Sequence, residues 1–470
     1  MARFDLTTGT DTLTGTGGDD RFLGRDEATL QTSDTIDGGA GTDRLVATTD
    51  RNGTPAPTIA NVERIRLDTG GQPVSLANVS GAERLATLGS SIIVEDIGTD
   101  DLGIRFDAKD VQSGTVQLRF QGGVLEADDD VLNLRATGSN VTFTSDSTFD
   151  STADGEQNRT EDALRIEEIN ILLRGGNPAA EFGNQVDISD FSAIETLRLR
   201  GDATDNKIVV DSPELERVDA VGTTGGVTLT SDIAGDQVML GGSGDDDFKS
   251  GSGNDALLGF DGDDVLDAGE GDNEVFGGEG NDTMTSESGA DYLFGGAGDD
   301  TIDAGSGDDR VRGGEGNDEI EAGDGADRVF AEAGDDTVRG GGGDDVLSGG
   351  EGNDALFGGG DDDVLFSEGG DDTLNGGGGQ DLFFIADGSS GTDTIEDFSL
   401  TSDASTNDTI RFRFDGGVQR LTSQEDFEAF YDANQGSGRV TADANADTVT
   451  IRADGGTVTL NVSDADFLLA

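Results

Sequence analysis

The sequence predicts an all-β chain, organised around a repeat fold in which very short strands stack coil upon coil. Three observations predict it. From Gly241 to Phe384 the chain divides into sixteen consecutive blocks of nine residues without an insertion. An apolar residue holds the eighth position in all sixteen, Gly the fourth in fifteen and Asp the sixth in fifteen. Outside that run, short alternating segments bounded by Gly, Asp and Thr carry the pattern of strands and turns.

Each position of the block has a physical use. In GGAGDDTID (295–303) the glycines allow positive φ, so the first half reads as a tight turn. Positions seven to nine read as a three-residue strand whose middle residue points inward, as Phe248, Leu257, Leu266 and Val275 do in the first four blocks. One such strand buries almost nothing, but a stack of them builds a continuous core. A disordered acidic tail has no need of an apolar residue at every ninth position.

Composition decides what the repeat can bind. The chain has 470 residues, 99 Asp plus Glu against 29 Lys plus Arg, and a formal charge of −70. Such a charge makes nucleic acid and anionic membranes poor partners and opposes compaction unless a cation neutralises it. Between Gly241 and Phe384 there are 40 acidic and 5 basic residues, so half of the excess lies in under a third of the length. Cys and His are absent, which excludes disulfides and ordinary zinc, copper or haem sites. Carboxylates and the carbonyls of 76 glycines remain, and an all-oxygen ligand set favours calcium.

In chain order, residues 1–50 hold degenerate nonapeptides: LTTGTDTLT and GTGGDDRFL at 6–23, TLQTSDTID and GGAGTDRLV at 29–46. Each keeps an acid at position six (Asp11, Asp20, Asp34, Asp43), giving a second, weaker set of metal candidates. Residues 51–240 repeat a looser theme, NVERIRL, GAERLAT, RIEEINI, AIETLRL and ELERVDA, with Glu at 63, 83, 167, 195 and 216. Intervals of twenty-odd residues suit an irregular parallel β-helix, with Val116–Phe120 and Val131–Arg135 as degenerate strands in the longest gap. RIEEINILL fits a short helix equally well, and Ser145–Asp162 reads as a polar loop. Residues 385–470 form a β-rich end, with alternation at Thr409–Phe414 and Val458–Val462 predicting antiparallel strands. No basic stretch followed by an apolar one opens the sequence, so an N-terminal secretory signal is not expected. No apolar run approaches the ~20 residues of a membrane-spanning helix.

The block resembles the GGxGxDxUx nonapeptide of RTX proteins. That resemblance implies a parallel β-roll, two nonapeptides to a coil, with calcium between successive turns held by the Asp carboxylate and turn carbonyls. Eight coils would stack to roughly 38 Å at the usual strand spacing. Carried over residue by residue, the implied ligands are Asp246, Asp255, Asp264, Asp282, Asp291, Asp300, Asp309, Asp318, Asp327, Asp336, Asp345, Asp354, Asp363, Asp372 and Asp381. Asn273 takes the place of Asp in the fourth block and keeps an oxygen without the charge, while Asp361 replaces a fourth-position Gly. Both sites are expected to bind more weakly. The segments Asp393–Phe398, Asp408–Phe412 and Asp466–Leu469 resemble the C-terminal region through which RTX proteins leave the cell by type I secretion.

Function follows as an expectation of the same kind. Without His there is no HExxH, so a serralysin-type protease is excluded, as are Ser–His–Asp and Cys–His chemistry. Paired-carboxylate attack on a polysaccharide stays open, since among 99 acids any pair is uninformative. The N-terminal LTTGTDTLTGTGGDD, the Thr-, Gly-, Asp- and Ala-rich middle and the absence of Cys together resemble calcium-dependent S-layer proteins of Gram-negative bacteria. The expectation is therefore a secreted, non-enzymatic structural protein that folds on calcium outside the cell and assembles with itself at the cell surface. The alternative is a secreted adhesin or biofilm-matrix protein that binds surface polysaccharide.

Overall fold

An apolar residue at every ninth position must meet partners, and in this chain it meets them in parallel ladders. The computed structural model describes residues 1–24, 30–48 and 57–68, the strands and a few joining residues between 74 and 210, and 212–385. It further describes 391–399, 407–414, 417–434, 440–443, 448–452 and 457–461. The chain divides into two compact units, Met1–Lys249 and Ser250–Ala470.

In the first unit one ladder runs through Arg3–Asp5, Arg21–Leu23, Arg44–Thr48, Arg64–Asp68 and Arg84–Leu88, every pairing parallel. It continues through Gly103–Asp107, Val131–Thr137, Glu168–Arg174, Thr196–Gly201, Arg217–Thr223 and Val238–Leu240. The recurring Glu theme therefore marks successive coils of one ladder. RIEEINILL resolves as the strand Glu168–Arg174 rather than a helix, because Ile169 and Ile171 are buried between neighbouring strands. Of the two degenerate strands, Val131–Arg135 belongs to this ladder, whereas Val116–Phe120 lies in Ser113–Phe120 of another parallel ladder, which within this unit includes Asp247–Lys249. Beyond Ser145, the expected loop Ser145–Asp162 falls outside the described residues.

The second unit holds the regular coils. Eighteen residues make one coil, so alternate nonapeptides enter two parallel ladders. Leu257, Val275, Leu293, Val311, Val329, Leu347, Leu365 and Phe383 pair in register along one. Leu266, Met284, Ile302, Ile320, Val338, Leu356 and Leu374 do so along the other. All are 0–1% exposed. At about 25 cal/mol per Å² of apolar surface, a buried Leu or Val contributes roughly 1.5–3 kcal/mol, and each coil has two of them.

The stack is closed by chain that the nonapeptide run does not include. Thr392–Ile395 pairs in parallel with Thr373–Gly378, and Thr409–Phe414 with Leu382–Phe384. Thr409–Phe414 then forms an antiparallel hairpin with Gly417–Leu421. Val440–Asp443, Thr448–Arg452 and Thr457–Asn461 make an antiparallel meander whose last strand runs parallel to Thr392–Ile395. Between hairpin and meander lies one helix, α1 (Gln424–Asn434), begun by the Ser423 hydroxyl accepting the Asp426 N–H at 3.1 Å. Its Phe430 ring meets Phe412 edge-on at 5.6 Å, and Phe427 stands 6.4 Å from Phe398. Asp466–Leu469, part of the expected export signal, lies outside the described residues.

Candidate metal sites

The sixth-position carboxylates line up in two columns, one for each ladder of coils. From Asp282 to Asp381, Oδ1 of each accepts the main-chain N–H of the sixth residue one coil earlier. Asp300 thus accepts from Asp282 at 2.8 Å, Asp318 from Asp300 at 2.9 Å and Asp336 from Asp318 at 2.7 Å. In the other column Asp309 accepts from Asp291 and Asp327 from Asp309, both at 2.8 Å. One oxygen of each carboxylate is committed to holding coils in register.

In ten of them the other oxygen has no such use. Oδ2 of Asp282, Asp300, Asp309, Asp318, Asp327, Asp336, Asp345, Asp354, Asp363 and Asp372 is buried and has no hydrogen-bond partner. A buried acceptor without a donor costs about 1–3 kcal/mol, and more when it carries charge. Ten of them, nine consecutive from Asp300 to Asp372, argue for a missing positive partner. The oxygens also gather. A Cβ built on Gly295 would lie 2.2 Å from Asp300 Oδ2 and 2.7 Å from the carbonyl oxygen of Gly313, and Gly277 and Gly313 repeat the arrangement. Glycine at position one therefore leaves room where a carboxylate and the next coil's carbonyl face one volume. Among the described residues no three acidic side chains converge, so main-chain oxygens must complete any ion's shell. A hard cation with many oxygen ligands fits this donor set.

Burial shows in the titration of these groups. Desolvation pushes Asp282, Asp318, Asp345, Asp354 and Asp381 up to about 6, and Asp300, Asp309 and Asp372 up to about 7. Asp363 rises to about 8, with Asp345 and Asp381 adding repulsion. Of the substituted positions, Asp361 adopts φ 76°, the left-handed turn its block requires.

Asn273 divides its two amide atoms between the column and the turn. Its Oδ1 accepts the Asp255 N–H at 2.9 Å, so the oxygen it keeps serves the register column. What it turns toward the carbonyls is its NH₂, 2.9 Å from the Gly271 oxygen.

The N-terminal candidates divide. Asp11 Oδ2 accepts the Thr7 N–H at 2.7 Å and its Oδ1 the Thr7 hydroxyl at 2.9 Å. Asp34 accepts main-chain N–H groups from Asp11 and Gln31, and Asp20 those of Ala2 and Thr16. The Thr16 N–H holds the Asp20 carboxyl below its ordinary range. Asp43 alone of the four keeps a buried, unpartnered Oδ2, and burial pushes it up. Asp246 resembles the satisfied ones, accepting Val227 and Gly242 N–H groups at 2.7 Å each.

Two column members escaped the sequence reading. Asp393 Oδ1 accepts the Asp372 N–H at 3.3 Å and Asp408 Oδ1 the Asp381 N–H at 3.1 Å. Their blocks, GSSGTDTIE and the shorter NDTIR, keep the Asp and the apolar residue two places on, but stand out of the nine-residue phase.

The model of the RTX calcium-binding nonapeptide repeat matches residues 5–27, 31–52 and, in overlapping matches, 234–383. No curated protein matches the chain significantly. The matched segments contain the carboxylate columns up to Asp381 and the N-terminal acids.

Proposed function

Because this is an RTX repeat protein, built on calcium-binding nonapeptides, we propose that it is a secreted structural protein that folds on calcium outside the cell and assembles with further copies into a surface array. The observation that carries the reading is the set of ten buried carboxylate oxygens with no donor, nine of them consecutive. Without a cation they oppose the coil stack, and an ion that binds only the folded coils drives folding. Cytosolic calcium is low and extracellular calcium high, so folding would await export. Residues 385–470 would carry the type I export signal. RTX repeats are typical of secreted proteins, and among the described residues no helix is long and apolar enough to cross a membrane.

Assembly is supported by an asymmetry between the two sheet surfaces of the regular coils. Outward positions of one sheet carry Phe276, Tyr292, Phe330, Phe366 and Phe384 with Arg310, Arg312 and Arg328 among them. Phe330 is 42% exposed, and the Phe366 and Phe384 rings stack at 4.7 Å. The corresponding positions of the other sheet include Asp267, Thr283, Thr301, Asp303, Glu319 and Glu321. That second sheet also carries Arg339 over the Phe357 ring at 5.5 Å, but most of the outward aromatic and arginine side chains lie on the first. A surface richer in both, facing one richer in acids and threonine, suits head-to-tail contact between copies. Negative-stain imaging of calcium-free protein returned to millimolar calcium tests this. Ordered sheets or filaments that appear only with calcium, and fail to form with Phe330→Glu, support the array. Dispersed monomers in both states overturn it and favour an adhesin whose stacked rings meet a surface polysaccharide.

A further inference from the structure

One rung of the columns is built unlike its neighbours. Asn273 Nδ2 donates to the carbonyl oxygens of Gly271 at 2.9 Å and Gly269 at 3.3 Å, and to Ser286 Oγ at 3.1 Å. Ser286 Oγ in turn donates to Asp291 Oδ2 at 2.7 Å. All three side chains are buried, at 5% exposure or less. The amide orientation is set by chemistry: the Asp255 N–H demands an oxygen at Oδ1, which leaves the NH₂ facing only acceptors. At Asp282 or Asp300 the atom in the equivalent place is an unpartnered carboxylate oxygen.

We propose that Asn273, Ser286 and Asp291 form a calcium-free rung, in which the NH₂ of Asn273 stands where neighbouring rungs require a cation. The amide supplies two N–H donors to the oxygens around it, and the serine hydroxyl passes a third donor to the carboxylate of the next coil. A cation cannot share that volume with an NH₂ group, so this rung neither needs nor accepts calcium. It keeps the coils from Asp255 to Asp291 in register when the rungs beyond are empty, and so provides an edge from which calcium-dependent coils add. The inference rests on the reading that the carboxylates of the other rungs take calcium.

The test combines ion counting with hydrogen exchange on the full chain. Bound calcium per chain, from equilibrium dialysis and atomic absorption, is compared for the native protein, Asn273→Asp and Ser286→Ala. Asn273→Asp should bind one more ion per chain, and Ser286→Ala the same number as the native protein. In calcium-free buffer the amide N–H of Asp255 in the native protein should exchange about tenfold more slowly, or slower still, than those of Asp282 and Asp300. Both variants should lose that difference. An unchanged or lower ion count in a folded Asn273→Asp overturns the proposal. So does equal exchange at Asp255 and Asp300 in the native protein, a result that does not depend on either variant folding. A native chain that binds no calcium at all overturns the calcium reading of the other rungs instead, and is recognised by the ion count alone.

Discussion

Removing calcium and then lowering the pH should refold the coils that calcium removal has opened. Nine carboxylates from Asp282 to Asp381 have folded values raised to between about 6 and about 8, against roughly 3.9 for an unfolded Asp. The folded coils therefore bind more protons than the unfolded chain, and their stability is fully present below about pH 4. It is lost as the pH rises through the range of about 6 to 8. A shift of two units corresponds to about 3 kcal/mol at pH 8. Even at half that value, nine such groups match the whole stability of a domain, about 5–15 kcal/mol. The calcium-free coils should be unfolded at pH 8 and should regain their far-UV β signal near pH 5, still above the sequence pI of about 4.1. With calcium bound, the signal should be present at pH 8 and calcium affinity should fall on acidification, since protons and the ion compete for one oxygen. A calcium-free protein with the same β signal at pH 5 and pH 8 would refute the argument.

Two substitutions probe the geometry directly. Asp300→Asn should reproduce the chemistry seen at Asn273: one ion fewer by dialysis, with the coils in calcium-free buffer less sensitive to pH. Gly296→Ala sets a Cβ 2.1 Å from the Gly278 carbonyl oxygen at φ 121°. It should cost at least about 1–3 kcal/mol, seen as a lower melting temperature in calcium.

The nonapeptides were readable because each fixed position has one physical task. An apolar residue at position eight has nowhere to go but the stack, and its interval dictates the register. The Glu theme of residues 51–240 was legible for the same reason. Its intervals of 20, 28 and 21 reappear as the pairings Ile65–Leu85, Ile169–Leu197 and Leu197–Val218. Glu63 even performs the carboxylate's task, accepting the Asp43 N–H at 2.6 Å. What periodicity did not reveal was direction. Which atom of Asn273 faces the neighbouring N–H depends on a residue eighteen places away, and which N-terminal acids find donors depends on turn geometry. Asp393 and Asp408 were hidden because short insertions break the phase. Helix α1 had a readable signal, Ser423 with Phe427, Phe430 and Tyr431 at helical spacing, that an expectation of strands obscured.

The alternation of nonapeptides between two sheets sets a quantum for change in length. Loss or gain of eighteen residues leaves every later strand on its own side, and each carboxylate column is merely shorter or longer by one. A change of nine would carry all later strands across: Phe330, Phe366 and Phe384 would join the side that now bears Asp303 and Glu321. Recombination within this stretch can therefore vary the length of the stack freely in steps of one coil, while half-coil events would scramble both surfaces at once. Natural variants of this protein should differ in this stretch by whole coils, and a survey of coding lengths would show it.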